Sequence, residues 1–369
     1  MASIIGQRLK LSIFGESHGE AIGCVLDGLP AGEEIDMDAV RVQMARRAPG
    51  TDKTATTRRE SDTPRILSGV CEGSGAPLHT TGAPLCMVIE NESQRSGDYA
   101  NILRMPRPGH ADYTGAIRYG GFNDIRGGGH FSGRLTAPLV FAGAVCRQIL
   151  KRHGITVGGH IAAIAGIADQ PFNSAAVTAE QLDRLSAVPF SLNDPSVEQK
   201  MRDAVETARL DLDSVGGLVE AAAVGLPAGW GSPMFDGVEN RLAPLLFGIP
   251  AVKGVEFGDG FRLAGMRGSE ANDCWRYRED GSVVTATNHN GGILGGITSG
   301  MPLIVRAVIK PTASISREQD TIDCKTRENA KLIIKGRHDP CIVPRALPVV
   351  EAALAVGILD ILQTETGVR

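Results

Sequence analysis

Gly28-Leu29-Pro30-Ala31-Gly32 recurs, residue for residue, as Gly225-Leu226-Pro227-Ala228-Gly229. The first copy follows Ala21–Asp27 and the second follows Leu218–Val224, two short apolar runs that read as strands closed by glycine. A helix-like stretch comes within a few residues of each copy. Gly and Ala are abundant in this chain, so the echo alone admits coincidence as well as structural duplication. No linker of Ser, Pro or charge separates two halves. The reading is one domain, residues 1–369, with internal pseudo-symmetry.

Working outward, further strands are expected at Lys10–Phe14, Ile66–Val70, Cys86–Glu90, Ile155–Ile167, Val252–Phe257 and Leu303–Ile309. Helices are expected at Asp36–Ala48, which stops at Pro49-Gly50, and at Arg134–His153, which ends in basic residues and stops at Gly154. Others are expected at Thr178–Leu185, from Asp194-Pro195 to about Leu210, and at Ala346–Leu362. Strands and helices do not alternate regularly, which favours α+β over a doubly wound sheet.

Composition bounds the function. Lys and Arg number 38 against 42 Asp and Glu, for a net charge of −4 over 369 residues. That excludes a generally basic nucleic-acid binder and leaves room for a local basic site. A hydrophobic share of 42% with 22% charged residues excludes global disorder. The 46 glycines have no G-X-Y period, so they mark tight turns and close backbone approaches rather than collagen. Seven cysteines without any C-x-x-C predict reduced thiols in a cytoplasmic protein. The N-terminus lacks a basic segment followed by an apolar core, and no uninterrupted apolar run approaches about 18 residues. Neither a signal peptide nor a membrane span is expected.

Candidate chemistry lies at the glycine-rich turns. Gly15-Glu16-Ser17-His18-Gly19 matches the G-x-S-x-G elbow of serine hydrolases, but the following stretch reads as a strand and too little chain precedes it. The alternative is an accessible turn histidine, able to act as acid or base. Residues 41–65 hold seven Lys and Arg against three acids around a hydroxyl-rich loop, which suits phosphate and carboxylate ligands. Arg107-Pro108-Gly109-His110-Ala111-Asp112 presents a second turn histidine beside Arg107. Arg126-Gly127-Gly128-Gly129-His130-Phe131-Ser132-Gly133-Arg134 can wrap backbone N–H groups around an anion where a long helix begins. Asn288–Gly296 would admit a flat ligand. Lys310-Pro311-Thr312-Ala313-Ser314 offers an ammonium and two hydroxyls, and Asp339 within Gly336–Cys341 is a candidate base. The histidines are scattered without metal-ligand spacing, so no metal is expected.

Taken in order and spacing, these segments, with Ile249–Gly254 and Gly268–Asp273, resemble chorismate synthase from residue 6 to about 360. The resemblance implies a β-α-β sandwich, with helices between two antiparallel sheets and internal duplication, assembled as a homotetramer. It implies a phosphate lyase that converts 5-enolpyruvylshikimate-3-phosphate to chorismate by 1,4-anti elimination and requires reduced FMN. NADPH is a possible reductant. Nucleic acid and membrane are not implied partners.

The resemblance also implies residue roles. His18 would protonate the departing phosphate, His110 would sit near flavin N1, and Asp339 near flavin N5. Ser17, Arg47, Lys53, Arg107 and Arg134 would bind substrate or NADP anions. His130, Phe131, Ser132, Pro250, Ala251, Gly295, Lys310, Pro311, Thr312, Ala313, Ser314 and Arg337 would contact flavin. Two positions depart from the family pattern. Lys53 stands where Arg is common, keeping charge but losing the bidentate fork. Pro250 stands where Asn is common, removing a side-chain contact.

Overall fold

The computed structural model describes residues 3–49, 62–72, 77–91, 104–334 and 338–368. Two five-stranded sheets dominate. The first runs in the spatial order Ile4–Ile5, Lys10–Gly15, Ala21–Asp27, Leu85–Glu90, Arg65–Ser68. The second runs Ile167–Ala168, Thr156–Ile164, Gly217–Val224, Leu303–Ile309, Val252–Phe257. Every neighbouring pair in both sheets is antiparallel.

Four helices fill the space between them. α1 (Met37–Arg47) starts where the Asp36 carboxylate accepts from the Asp38 and Ala39 N–H groups at 2.8 and 3.1 Å. α2 (Asp112–Arg118) is short and peripheral. α3 (Thr136–Arg152) lies against the first sheet and runs along α8 (Val343–Thr366), which lies against the second. α4 (Ala179–Ser186) and α5 (Glu198–Leu210) pack on the second sheet. α6 (Val238–Phe247) packs on α8, and α7 (Gly268–Ala271) is a single turn. A Cβ on Gly143 would overlap Ala352, so α3 and α8 approach to backbone contact. α8 is long and apolar enough to cross a membrane, yet its apolar stretch is wholly buried at the centre of the layer.

The duplication is explicit. Each half lays down two antiparallel strands, the repeated pentapeptide, a helix (α1 or α6), two more strands and a long central helix (α3 or α8). The two pentapeptides do the same work. Gly28 and Gly225 have φ of +96° and +88°, and a Cβ on either would strike a carbonyl just before its half's first long strand, at Arg8 or Gly154. Thr80 Oγ1 donates to the Pro30 carbonyl at 2.5 Å and accepts from Glu33 N–H at 2.9 Å. Thr298 Oγ1 donates to the Pro227 carbonyl at 2.7 Å and accepts from Trp230 N–H at 2.9 Å. Leu29 and Leu226 are both buried in the one large core, which runs from Leu9 to Leu362.

Three sequence expectations needed adjustment. The strand expected at Ile155–Ile167 turns back at Ala165-Gly166, where both φ values are positive, making a hairpin. The strand expected at Ile66–Val70 breaks at Gly69 (φ +85°), and its second part, Val70–Glu72, joins a separate three-stranded sheet. The helix expected from Asp194 begins as a 3-10 turn, Pro195–Val197, before α5.

Candidate active site

A cavity of about 620 Å³ opens where equivalent ends of the two halves meet. The C-terminal ends of α1 and α6 contribute Arg47 and Phe247, and the N-terminal ends of α3 and α8 contribute Thr136 and Arg345. Two long helices thus direct the positive ends of their dipoles at one space, and at the C-terminal end of α1 the negative pole is met by the Arg47 guanidinium. A second cavity of about 400 Å³, around Phe190 and Arg202, carries no histidine or lysine.

Most residues singled out in the sequence converge here. Ser17, Arg47, Arg107, His110, His130, Phe131, Ser132 and Arg134 line the cavity, as do Pro250, Ala251, Lys310, Pro311, Thr312, Ala313, Ser314 and Asp339. Lys53 and Arg337 lie outside the described residues. Gly295 does not line the cavity. It sits in the turn between Ile293–Leu294 and Ile297–Ser299, a hairpin held on Ala228–Gly231.

The glycine loop is shaped by what packs against it. Gly127, Gly128 and Gly129 all have positive φ, at +60°, +85° and +53°. A Cβ on Gly127 would overlap the His18 ring, and one on Gly128 would lie 3.2 Å from His110 Cε1 and Nε2. Consecutive glycines therefore pack against both candidate proton-transfer histidines. Ser17 N–H donates to the Gly129 carbonyl at 3.1 Å, tying the loop to the first sheet. His18 is consequently buried at 3% exposure, against the accessible turn expected from its flanking glycines. The hydrolase elbow fails on topology, because Ser17 leads into the strand Ala21–Asp27 and not into a helix.

Ion pairs aim the cations. Asp62 is buried between Arg47 (2.8 Å) and Arg134. Arg345 pairs with Asp339, and its Nε donates to the Arg47 carbonyl at 2.9 Å. Arg107 forms a two-pronged pair with buried Asp112, both contacts at 2.7 Å, and Nη1 donates to Ser314 Oγ at 3.1 Å. Burial alone would raise the Asp112 pKa, but hydrogen bonds from Arg107 and His110 outweigh it and hold the carboxyl well below the usual carboxylate range. Lys310 donates to the Gly109 carbonyl; partial burial, helped by Lys253, lowers its pKa. The sequence reading did not single out Asp62 or Arg345. Asp62 is one acid in a basic run, and Arg345 sits one turn into an apolar helix. Arg46, next to Arg47, points the other way into a buried pair with Glu351, which Arg147 shares at 2.9 Å. Of the described cations in the basic run 41–65, only Arg47 lines the cavity, with Pro49 two residues on at its edge.

Comparison with known proteins gives a consistent result. The family model described as chorismate synthase matches residues 9–363. The chorismate synthase of Thermococcus kodakarensis is 47% identical over 355 residues, 96% of each chain. That of Methanosarcina mazei is 44% identical over 358 residues, covering 97% of this chain and 95% of its own. A crystal structure of a chorismate synthase superposes with a TM-score of 0.75 at 26% identity, covering 98% of this chain and 94% of that one. The duplicated sandwich, the cation-lined cavity at its pseudo-symmetric junction and the full-length matches together make this chain a member of the chorismate synthase family.

Proposed function

We propose that this enzyme eliminates phosphate and a hydrogen from 5-enolpyruvylshikimate-3-phosphate in the 1,4-anti sense, releasing chorismate, and that it works with reduced FMN. The observation that carries the reading is the convergence of His110 and Asp339 with five cations (Arg47, Arg107, Arg134, Lys310 and Arg345) around one cavity, with the His18 ring packed behind Gly127 of its wall. Substrate alone brings about four negative charges. A chain of net charge −4 must concentrate cations locally to hold it.

The cavity also fits a flavin phosphate. Its volume lies within the usual range for small-ligand sites. Phe131 offers an aromatic face, the Pro250–Ala251 backbone a flat wall, and Lys310 with Ser314 a phosphate-binding pair. Reduced flavin would supply transient electron density that helps the phosphate leave, with no net redox change.

In this reading Arg47 and Arg134, held by Asp62, orient the substrate anions. His18, whose ring packs against Gly127 of the cavity wall, is the residue assigned to protonate the departing phosphate oxygen. General acid help of this kind is worth about 10²–10⁴-fold. His110 would hold a proton at Nε2 toward the edge of the bound flavin. Asp339, positioned by Arg345, receives the proton lost from the substrate ring.

The flavin is supplied reduced rather than reduced on this chain by NADPH. The free state of all seven cysteines supports a cytoplasmic setting, and the assembly is proposed as a homotetramer. The test is anaerobic mixing of protein, substrate and chemically reduced FMN, following chorismate absorbance and phosphate release together. Equal appearance of both, dependent on reduced flavin, supports the reading. FMN binding without product would reduce the protein to a flavin-binding scaffold. Turnover with oxidised FMN plus NADPH would overturn external reduction.

A further inference from the structure

One buried carboxylate behind the cavity wall has no place in the scheme above. Asp112 opens α2 and is 8% exposed. Its two oxygens collect four donors. Oδ2 accepts from the Arg107 backbone N–H at 3.0 Å and from Arg107 Nε at 2.7 Å. Oδ1 accepts from Arg107 Nη2 at 2.7 Å and faces His110 Nδ1 at 2.7 Å.

We propose that Asp112 is a positioning residue that fixes His110 as the Nδ1–H tautomer and turns Nη1 of Arg107 toward Ser314. The argument is one of donors and acceptors. An ionised carboxylate only accepts, so the nitrogen 2.7 Å from it carries a hydrogen. In neutral His110 that places the lone pair on Nε2, which with Cε1 forms the ring edge facing the Cβ-free surface of Gly128. Nε2 is then the nitrogen that gains and loses a proton. Arg107 Nη2 lies 3.1 Å from His110 Nδ1 and 3.3 Å from Nε2; with the hydrogen on Nδ1, Nη2 donates to Asp112 Oδ1 and can donate only to the Nε2 lone pair of the ring. With Nε and Nη2 of Arg107 both committed to Asp112, Nη1 is left to reach Ser314 Oγ at 3.1 Å. A single carboxylate thereby sets the proton-active nitrogen of one cavity residue and the direction of another.

The functional half of this inference rests on the role proposed for His110; the tautomer does not. The deciding measurement is long-range 1H–15N correlation of the histidine rings, with His110 assigned from the H110Q spectrum. In the unsubstituted protein, at a pH where His110 is neutral, the expected pattern is a protonated Nδ1 and a bare Nε2. Asp112→Asn, nearly isosteric and uncharged, should relax this to a tautomer mixture. Its kcat should fall about 10²-fold with little change in KM, the size expected for a misplaced proton-transfer group. Asp112→Glu should restore the Nδ1–H pattern in part. A proton on Nε2 in the unsubstituted protein would overturn the proposal, whether or not any variant folds. So would a D112N spectrum identical to the parent. A relaxed tautomer with unchanged turnover would uphold the positioning by Asp112 and remove His110 from the reaction.

Discussion

Arg47 is pinned from three directions before any ligand arrives. Asp62 pairs with its guanidinium, Arg345 holds its carbonyl, and Nη1 lies 3.4 Å from both the Gly133 carbonyl and Thr136 Oγ1. A cation ordered in advance loses little entropy on binding, so its loss should appear in substrate affinity. Arg47→Ala is expected to raise the KM for 5-enolpyruvylshikimate-3-phosphate at least tenfold; an unchanged KM would take it out of the site. Asp339 is held differently, by Arg345 on α8 at the cavity edge. Asp339→Asn keeps the shape and removes the base. Turnover should fall by about 10²-fold while FMN affinity in a flavin titration stays within threefold. The reverse pattern would make Asp339 a binding residue.

At the scale of elements, the loop Gly127–Gly129 has no room for a methyl group at Gly127 or Gly129. Gly127→Ala adds strain at φ +60° and drives a Cβ into the His18 ring. Turnover should drop sharply with near-native circular dichroism; full activity would show that His18 needs no such packing. A second element-scale feature lies on the outer face of the second sheet. His160 is fully buried between Asp169 at 2.7 Å and Glu220 at 2.8 Å. Asp169 also accepts from Asn193 and Asp194 N–H, and Glu220 from Phe172 N–H, so the cluster ties two connecting segments to the sheet. Burial disfavours the imidazolium, but the two carboxylates outweigh it and raise the His160 pKa above its ordinary 6.5. The sign then follows from linkage. A raised folded-state pKa gives stability that is fully present below pH 6.5 and is lost as pH climbs through the folded value. The Asp169 pKa is lowered: burial opposes this, but the His160 hydrogen bond and the backbone donors prevail, so its contribution fades only in acid. His160→Gln should cost about 3 kcal/mol near neutral pH. The gap to the parent should narrow in denaturant titrations at alkaline pH; a pH-independent gap would show that His160 is neutral in the fold.

For the whole molecule, the two halves share their central layer. α3 from one half and α8 from the other meet at backbone contact through Gly143 and Ala352, and the core includes side chains from both. Residues 1–153 and 154–369, expressed apart, should each fail to give a cooperative unfolding transition, whereas the intact chain should show one. Independent folding of either piece would count against a single-domain chain. The cavity follows from the same arrangement, because it forms only where both halves present their helix ends.

Much of this was legible locally. The strand Ala21–Asp27 and the strand Val252–Phe257 matched their expected bounds, since short apolar runs closed by glycine report pairing directly. The Asp36 cap, the Thr178 cap and the left-handed Gly154 likewise mark their helix ends within a few residues. The ordered motifs carried the family, and the repeated pentapeptide carried the duplication. The partners of the cavity cations were not legible. Asp62 reaches Arg134 across 72 positions and Glu351 reaches Arg46 across 305. A carboxylate has no local signature that says which distant guanidinium it will neutralise. Nor could the sequence separate Arg46 from Arg47, neighbours whose side chains diverge by about 100° around a helix. By itself the sequence determined most of the elements, a repeat that admitted duplication, and the chemical inventory, because those depend on periodicity and turn chemistry over a few residues. Only the tertiary structure decided which cation faces the cavity, which is cancelled in the core and which histidine is covered, because those depend on long-range packing in a low-dielectric interior.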